Sequence, residues 1–149
     1  MKRMIEIKSL KEMEQLAKHI ASHVTKGFLV GLEGDLGAGK TTFTQFLGKA
    51  LGIKDRINSP TFTIMKIYDN DIPLYHIDAY RLNEDFTDYD IEDYIEGNGL
   101  CVVEWYTNIL SVMPENRLNI HIKWIGDTQR KVTLEGSGYY EHVIETFNH

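Results

Sequence analysis

The sequence predicts an α/β fold, a mixed sheet with a parallel core and antiparallel hairpins flanked by helices. Three observations carry this. Gly34-Asp35-Leu36-Gly37-Ala38-Gly39-Lys40-Thr41 fits the phosphate-loop pattern G-x-x-x-x-G-K-[ST]. A short apolar run precedes it and an amphipathic one follows, the strand and helix that such a loop joins. Stretches that alternate like hairpins lie on either side of a second apolar run. Together they specify a P-loop NTPase fold in one domain, residues 1–149.

Ser9-Leu10-Lys11-Glu12 is a capping box, and Leu10, Met13, Leu16, Ala17, Ile20 and Val24 follow on one helical face. A helix therefore precedes the first core strand. Phe28-Leu29-Val30-Gly31-Leu32 reads as that strand, a buried one. Phe43, Phe46, Leu47, Ala50 and Leu51 recur at helical spacing after the loop, until Gly52 closes the helix. Thr61 to Tyr68 and Leu74 to Asp78 flank Asp69-Asn70-Asp71 and read as a hairpin. The acidic stretch Asn83 to Glu96 reads as loop and short helix. Leu100 to Glu104 suits a strand buried on both faces. Leu118, Ile120, Ile122 and Trp124 alternate, Gly126-Asp127 suits a type II′ turn, and Val132 and Leu134 alternate on the return.

Each residue of the loop has a physical task. Gly34, Gly37 and Gly39 reach backbone angles closed to other residues, so that successive N–H groups point into one anion-binding concavity. The phosphate-binding segment is Gly37, Ala38, Gly39, Lys40, Thr41 and Thr42. Lys40 neutralises the β- and γ-phosphates, the Thr41 hydroxyl ligates Mg²⁺, and the following helix adds its unpaired N–H groups.

Hydrolysis further requires an acid at the magnesium site and a group that orients water. Glu104 closes an apolar strand, the usual arrangement for that acid, and Asp78 is the second choice. His76 and Asp78 share one strand face and could grip hydrated Mg²⁺ or position water. A structural histidine explains His76 equally well. Ser59 and Thr61, in Asn58-Ser59-Pro60-Thr61-Phe62-Thr63, occupy the place of a switch loop; a plain proline turn accounts for the same residues. Trp105 suits either a stacking contact or a lid over the core edge, and Arg81 either a phosphate contact or a solvated surface. Asp85, Asp88, Asp90, Glu92, Asp93 and Glu96 lack an ordered ligand spacing and read as a solvated acidic face.

The 42% hydrophobic fraction is that of an ordinary globular domain. No apolar run reaches the ~20 residues of a membrane span, and the N-terminus lacks a signal-peptide core, so a cytoplasmic protein without membrane contact is expected. Cys101 lies in an apolar run and reads as a small buried hydrophobe. A net charge of −6 argues against a broad grip on phosphodiester backbones, so any nucleic acid is expected only through a partner.

GDLGAGKTTF (34–43), SPTF (59–62), His76-x-Asp78-x-Tyr80-Arg81-Leu82 and Val103-Glu104-Trp105, in this order and chain length, closely resemble the TsaE family, formerly YjeE. These are small bacterial P-loop ATPases of tRNA threonylcarbamoyladenosine (t6A) synthesis. The resemblance implies slow, Mg²⁺-dependent ATP hydrolysis and action with TsaB and TsaD, which transfer threonylcarbamoyl to adenosine 37 of tRNA. In that scheme hydrolysis resets the transferase between turnovers. By motif it gives Lys40 the phosphates, Thr41 and Glu104 the magnesium, Asp78 a catalytic or magnesium-linked role, and Ser59 and Thr61 a mobile loop. Ser9 and Arg130 are implied as contacts to the base. Two departures stand out: Tyr106 where many members have Pro, and no Gly near Asp90.

Two other readings share the phosphate loop. A small-molecule kinase usually closes an arginine-rich lid, whereas Arg3, Arg56, Arg81, Arg117 and Arg130 are scattered here. A binding module without hydrolysis would use nucleotide only to set partner affinity. No Asn/Thr-Lys-x-Asp motif favours GTP.

Overall fold

The computed structural model describes residues 1–35, 37–60, 63–82 and 89–149, with only the backbone of Tyr89 and Asp90. The strands are β1 (Lys2–Ile7), β2 (Leu29–Glu33), β3 (Met65–Tyr68), β4 (Leu74–Asp78), β5 (Leu100–Glu104), β6 (Leu118–Trp124) and β7 (Arg130–Glu135). The α-helices are α1 (Leu10–Ala21), α2 (Lys40–Ala50), α3 (Tyr89–Ile95) and α4 (Tyr139–Glu145), and a 3₁₀ segment covers Tyr106–Val112. One seven-stranded sheet runs in the order β1-β7-β6-β2-β5-β4-β3. Its centre, β6-β2-β5-β4, is parallel, and β1, β7 and β3 add to it antiparallel. The mixed sheet expected from the sequence is the one observed.

β2 and β5 are the strands that their apolar runs marked as buried, β5 on both faces, and all of Leu100–Glu104 is buried. Their alternate residues feed two cores. Val30, Leu32, Leu100 and Val102 meet Phe43 and Leu47 of α2 and Leu16 and Ile20 of α1, while Cys101 and Val103 meet Ile91, Tyr106 and Ile109 on the other face. Burial pushes the Cys101 thiol far above its ordinary pKa, consistent with a packing role. On that second face Tyr106 lies directly over Gly31: a Cβ at residue 31 would stand 2.7 Å from its ring. Only glycine leaves room for the ring there.

A strand not foreseen in the sequence, β1, precedes the first helix; its buried residues are only Ile5 and Ile7, and its register with β7 decides it. Three expectations need correction. The turn after β6 centres on Asp127-Thr128, because Gln129 N–H donates to Gly126 O at 3.3 Å and Gly126 lies outside the left-handed region that a type II′ turn requires. Of the stretch from Thr61 to Tyr68, only Met65–Tyr68 is strand; Ile64 is left-handed at φ 67°, and Thr61 lies outside the described residues. The capping box forms in a variant form. Ser9 Oγ accepts from Glu12 N–H at 3.2 Å, while the Glu12 carboxylate accepts from Lys8 N–H instead of that of Ser9. Leu10, expected in the apolar face of α1, is 64% exposed.

The C-terminal helix, unforeseen in the sequence, is pinned at both sides. Arg3 donates to Ile144 O and Phe147 O at 2.9 and 2.7 Å, and His19 Nε2 donates to Val143 O at 2.8 Å. Burial holds the His19 pKa below its ordinary 6.5, with His23, Arg3 and His142 reinforcing the shift and the Val143 carbonyl opposing it. The unfolded chain therefore takes up that proton first as pH falls. The stability linked to His19 is full above about 6.5 and is lost progressively below it. Thermal melts between pH 8 and 5 should show a fall in Tm over the acid half, and His19→Gln should flatten it; an unchanged profile in the variant would refute the linkage.

Candidate functional site

Strand register builds the site. Asp78 pairs with Glu104, and Glu104 pairs with Leu32, so the C-terminal ends of β4, β5 and β2 stand level. The phosphate loop leaves β2 at that edge, where ligands bind in open parallel sheets. Gly39 caps α2 at φ 110° with no side-chain hydrogen bond. The unpaired amides of the first helical turn and the helix's partial positive charge thus favour an anion.

Gly37, Gly39, Lys40, Thr41 and Thr42 line a cleft of about 400 Å³ together with Ser59, Asp78, Tyr80, Glu104 and Trp105. Asp78, Glu104 and Lys40 are all buried. The Lys40 ammonium donates to Gly34 O and sits 3.7 Å from the centre of the Trp105 ring. Burial lowers its pKa, opposed by the carboxylates of Glu104, Glu33, Asp78 and Asp35. Asp78 Oδ1 accepts from Tyr80 N–H at 2.9 Å, which fixes that carboxylate against the turn after β4.

Trp105 is left-handed, φ 57° and ψ 38°, a conformation that costs of order 1–3 kcal/mol for a bulky residue. Its N–H is held by Leu32 O at 2.9 Å. The bend turns the chain out of β5 and brings the indole over Lys40, with Tyr80 packed on it at 5.0 Å between ring centres.

A second hollow, of about 140 Å³, adjoins the loop. Ser9 and Arg130 both line it, together with Ala38, Gly39 and Thr42 of the loop region. Arg130 Nε donates to Ala38 O at 2.8 Å, and its other donors close on Gly126 O and Gln129 O. Residues 9, 38 and 130, distant in sequence, thus share one wall.

The remaining candidates separate. His76 is fully buried and bonded to Glu104, behind the cleft instead of in it. Arg81 is exposed at the turn after β4, away from the cleft lining. Thr61 lies outside the described residues. Sequence reasoning missed Tyr80 as a cleft residue, although it stands in the same short motif as Asp78. It also missed Ile7, Leu10, Met13, Asp127 and Thr128 in the second hollow, for which no local signal exists.

The sequence profile described as "Threonylcarbamoyl adenosine biosynthesis protein TsaE" matches residues 7–132. The chain belongs to the TsaE family. Relatives named tRNA threonylcarbamoyladenosine biosynthesis protein TsaE include one from Bacillus subtilis, 45% identical over 90% of this chain and 86% of its own. Another, from Treponema pallidum, is 40% identical over 73% and 82%. The crystal structure of Bacillus subtilis YdiB superposes with a TM-score of 0.83 and 38% identity, covering 97% of this chain and 93% of that one. No helix among the described residues is long and apolar enough to cross a membrane.

In this TsaE-family chain, Tyr106 starts the 3₁₀ segment, and its hydroxyl pairs with His121 Nε2 at 2.7 Å. Its ring packs over Gly31 on the second core face. Gly34 meets a different limit, because a Cβ there would lie 2.5 Å from Ile122 O in the neighbouring strand. Gly34→Ala should displace the carbonyl that receives Lys40, lowering both Tm and nucleotide affinity. A variant with wild-type Tm and affinity, by melting and ATP titration, would show that the loop tolerates the shift.

Proposed function

We propose that this chain binds ATP with Mg²⁺ and hydrolyses it slowly, and that hydrolysis resets the TsaB–TsaD threonylcarbamoyl transferase between turnovers. The observation that carries this reading is the convergence of Lys40, Thr41, Asp78 and Glu104 on one cleft at the end of the parallel strands. The phosphates lie along the loop amides and the first turn of α2, with Lys40 released from Gly34 O toward the β- and γ-phosphates. Adenine enters the second hollow. The apolar sides of Ile7, Leu10 and Met13 suit a planar base, with Ser9 and Arg130 at its polar rim.

The donor set fits magnesium. Thr41, Asp78 and Glu104 offer oxygen, and no cluster of three His, Cys, Asp or Glu side chains among the described residues forms a complete cage. Mg²⁺ keeps several waters and takes one or two carboxylates with substrate phosphates, so an incomplete protein set is what it requires. When bound it supplies charge that offsets the negative charge developing on the phosphate oxygens. Glu104 and Thr41 hold it, and Asp78 holds its water shell or orients the attacking water. Ser59 and Thr61 belong to the segment that responds to the γ-phosphate. Contact with tRNA is indirect, through TsaB and TsaD, in the cytoplasm.

Lys40→Ala should abolish tight ATP binding in a calorimetric titration; near-normal affinity would remove the phosphate assignment. Glu104→Ala should reduce kcat by at least about 100-fold with a much smaller effect on ATP affinity, since magnesium charge matters most in the transition state. Equal losses would make Glu104 structural. The decisive assay is multiple-turnover threonylcarbamoylation of tRNA by TsaB and TsaD with threonylcarbamoyl-adenylate supplied. Wild type, and not Lys40→Ala, should restore turnover; if wild type hydrolyses ATP and changes nothing, the partner assignment falls.

A further inference from the structure

His76 is fully buried in β4, and Glu104 is 3% exposed. His76 pairs in register with Val102, so Glu104 stands two residues further along the neighbouring strand on the same face. The His76 Nε2 and the Glu104 Oε2 are hydrogen-bonded, and the other ring nitrogen, Nδ1, is buried without a partner. We propose that His76 is a positioning residue for the Glu104 carboxylate: it ties down one oxygen and so fixes the plane that this acid presents to the cleft. The inference rests on the reading of Glu104 as the magnesium-site acid and deepens it.

The orphaned Nδ1 decides how the pair is built. With a proton on Nδ1, a buried N–H donor would go unmet, a costly state. With the proton on Nε2 alone, the ring donates to Glu104 and leaves only a lone pair unmet on Nδ1. The same geometry removes His76 from the metal-ligand candidates. Its Nε2 is committed to Glu104, its Nδ1 faces the interior, and magnesium prefers oxygen. Carboxylates that hold metals are commonly held in turn by such outer hydrogen bonds, and losing one costs about 10- to 100-fold in metal affinity or activity. A free Glu104 side chain at a strand end has several rotamers; one tied to a fully buried ring has far fewer.

The test compares wild type, His76→Leu and His76→Gln, whose side-chain amide also carries a donor toward the carboxylate. In magnesium titrations of ATP hydrolysis, His76→Leu should lower kcat and raise the half-activating Mg²⁺ concentration about 10- to 100-fold. ATP affinity measured without magnesium should stay within about twofold, and His76→Gln should recover part of the loss. Wild-type magnesium dependence in His76→Leu, or loss confined to ATP affinity, overturns the proposal. A second readout needs neither metal nor nucleotide. In ¹⁵N NMR of the imidazoles, His76 should show the Nε2–H tautomer, with an Nε2 shift that moves in Glu104→Gln. An Nδ1–H tautomer, or an Nε2 signal indifferent to that change, overturns the proposal even if His76→Leu fails to fold. Should wild type hydrolyse no ATP at all, the functional reading fails while the imidazole signals still decide the pairing.

Discussion

Two carboxylates, Asp78 and Glu104, are buried side by side on neighbouring strands, and everything near them answers that charge. Burying an ionised group without a partner costs several kcal/mol, and two like charges make it worse. Lys40, itself buried, is drawn toward both. The Tyr80 amide satisfies one oxygen of Asp78, and the His76 ring satisfies one of Glu104. Among the described residues one ammonium, that of Lys40, lies near the two acids, an imbalance that suits the proposed binding of a cation together with an anionic substrate. The phosphate loop and the acid pair are therefore one electrostatic unit, with the helix terminus drawing the anion and the acids drawing its counterion.

The register of the parallel core is what makes that unit possible. A slip of one residue between β4 and β5 would turn Glu104 toward the second core and set Val103 at the cleft. Continuous apolar runs on both faces hold the register, with Leu100, Val102, Cys101 and Val103 each locked in one of two cores. The site chemistry thus depends on packing several residues away from it. Trp105 marks where packing yields to function: its left-handed bend breaks the strand and lays the indole over Lys40.

What could be read from the sequence was what repeats locally. The phosphate loop, the buried strands and the acids at strand ends are short patterns with a fixed physical meaning, and β2, α2, β5, Asp78 and Glu104 follow from them. β1 escaped because an edge strand with two buried residues becomes legible only through its partner β7. The second hollow escaped because Ile7, Met13 and Thr128 come together only after β1 and the β6–β7 turn are placed beside the loop. His76 fell between readings for a related reason: its strand periodicity was visible, but its diagonal partner on the next strand was not.

The fit of Tyr106 over Gly31 gives these two positions a joint history. A change at residue 31 to anything larger is incompatible with the ring while Tyr106 is present, so residue 106 must change first. Conversely, a small residue at 106 vacates space above β2 and makes larger side chains at 31 admissible. Substitutions at the two sites are therefore coupled, and while Tyr106 is present residue 31 is confined to glycine.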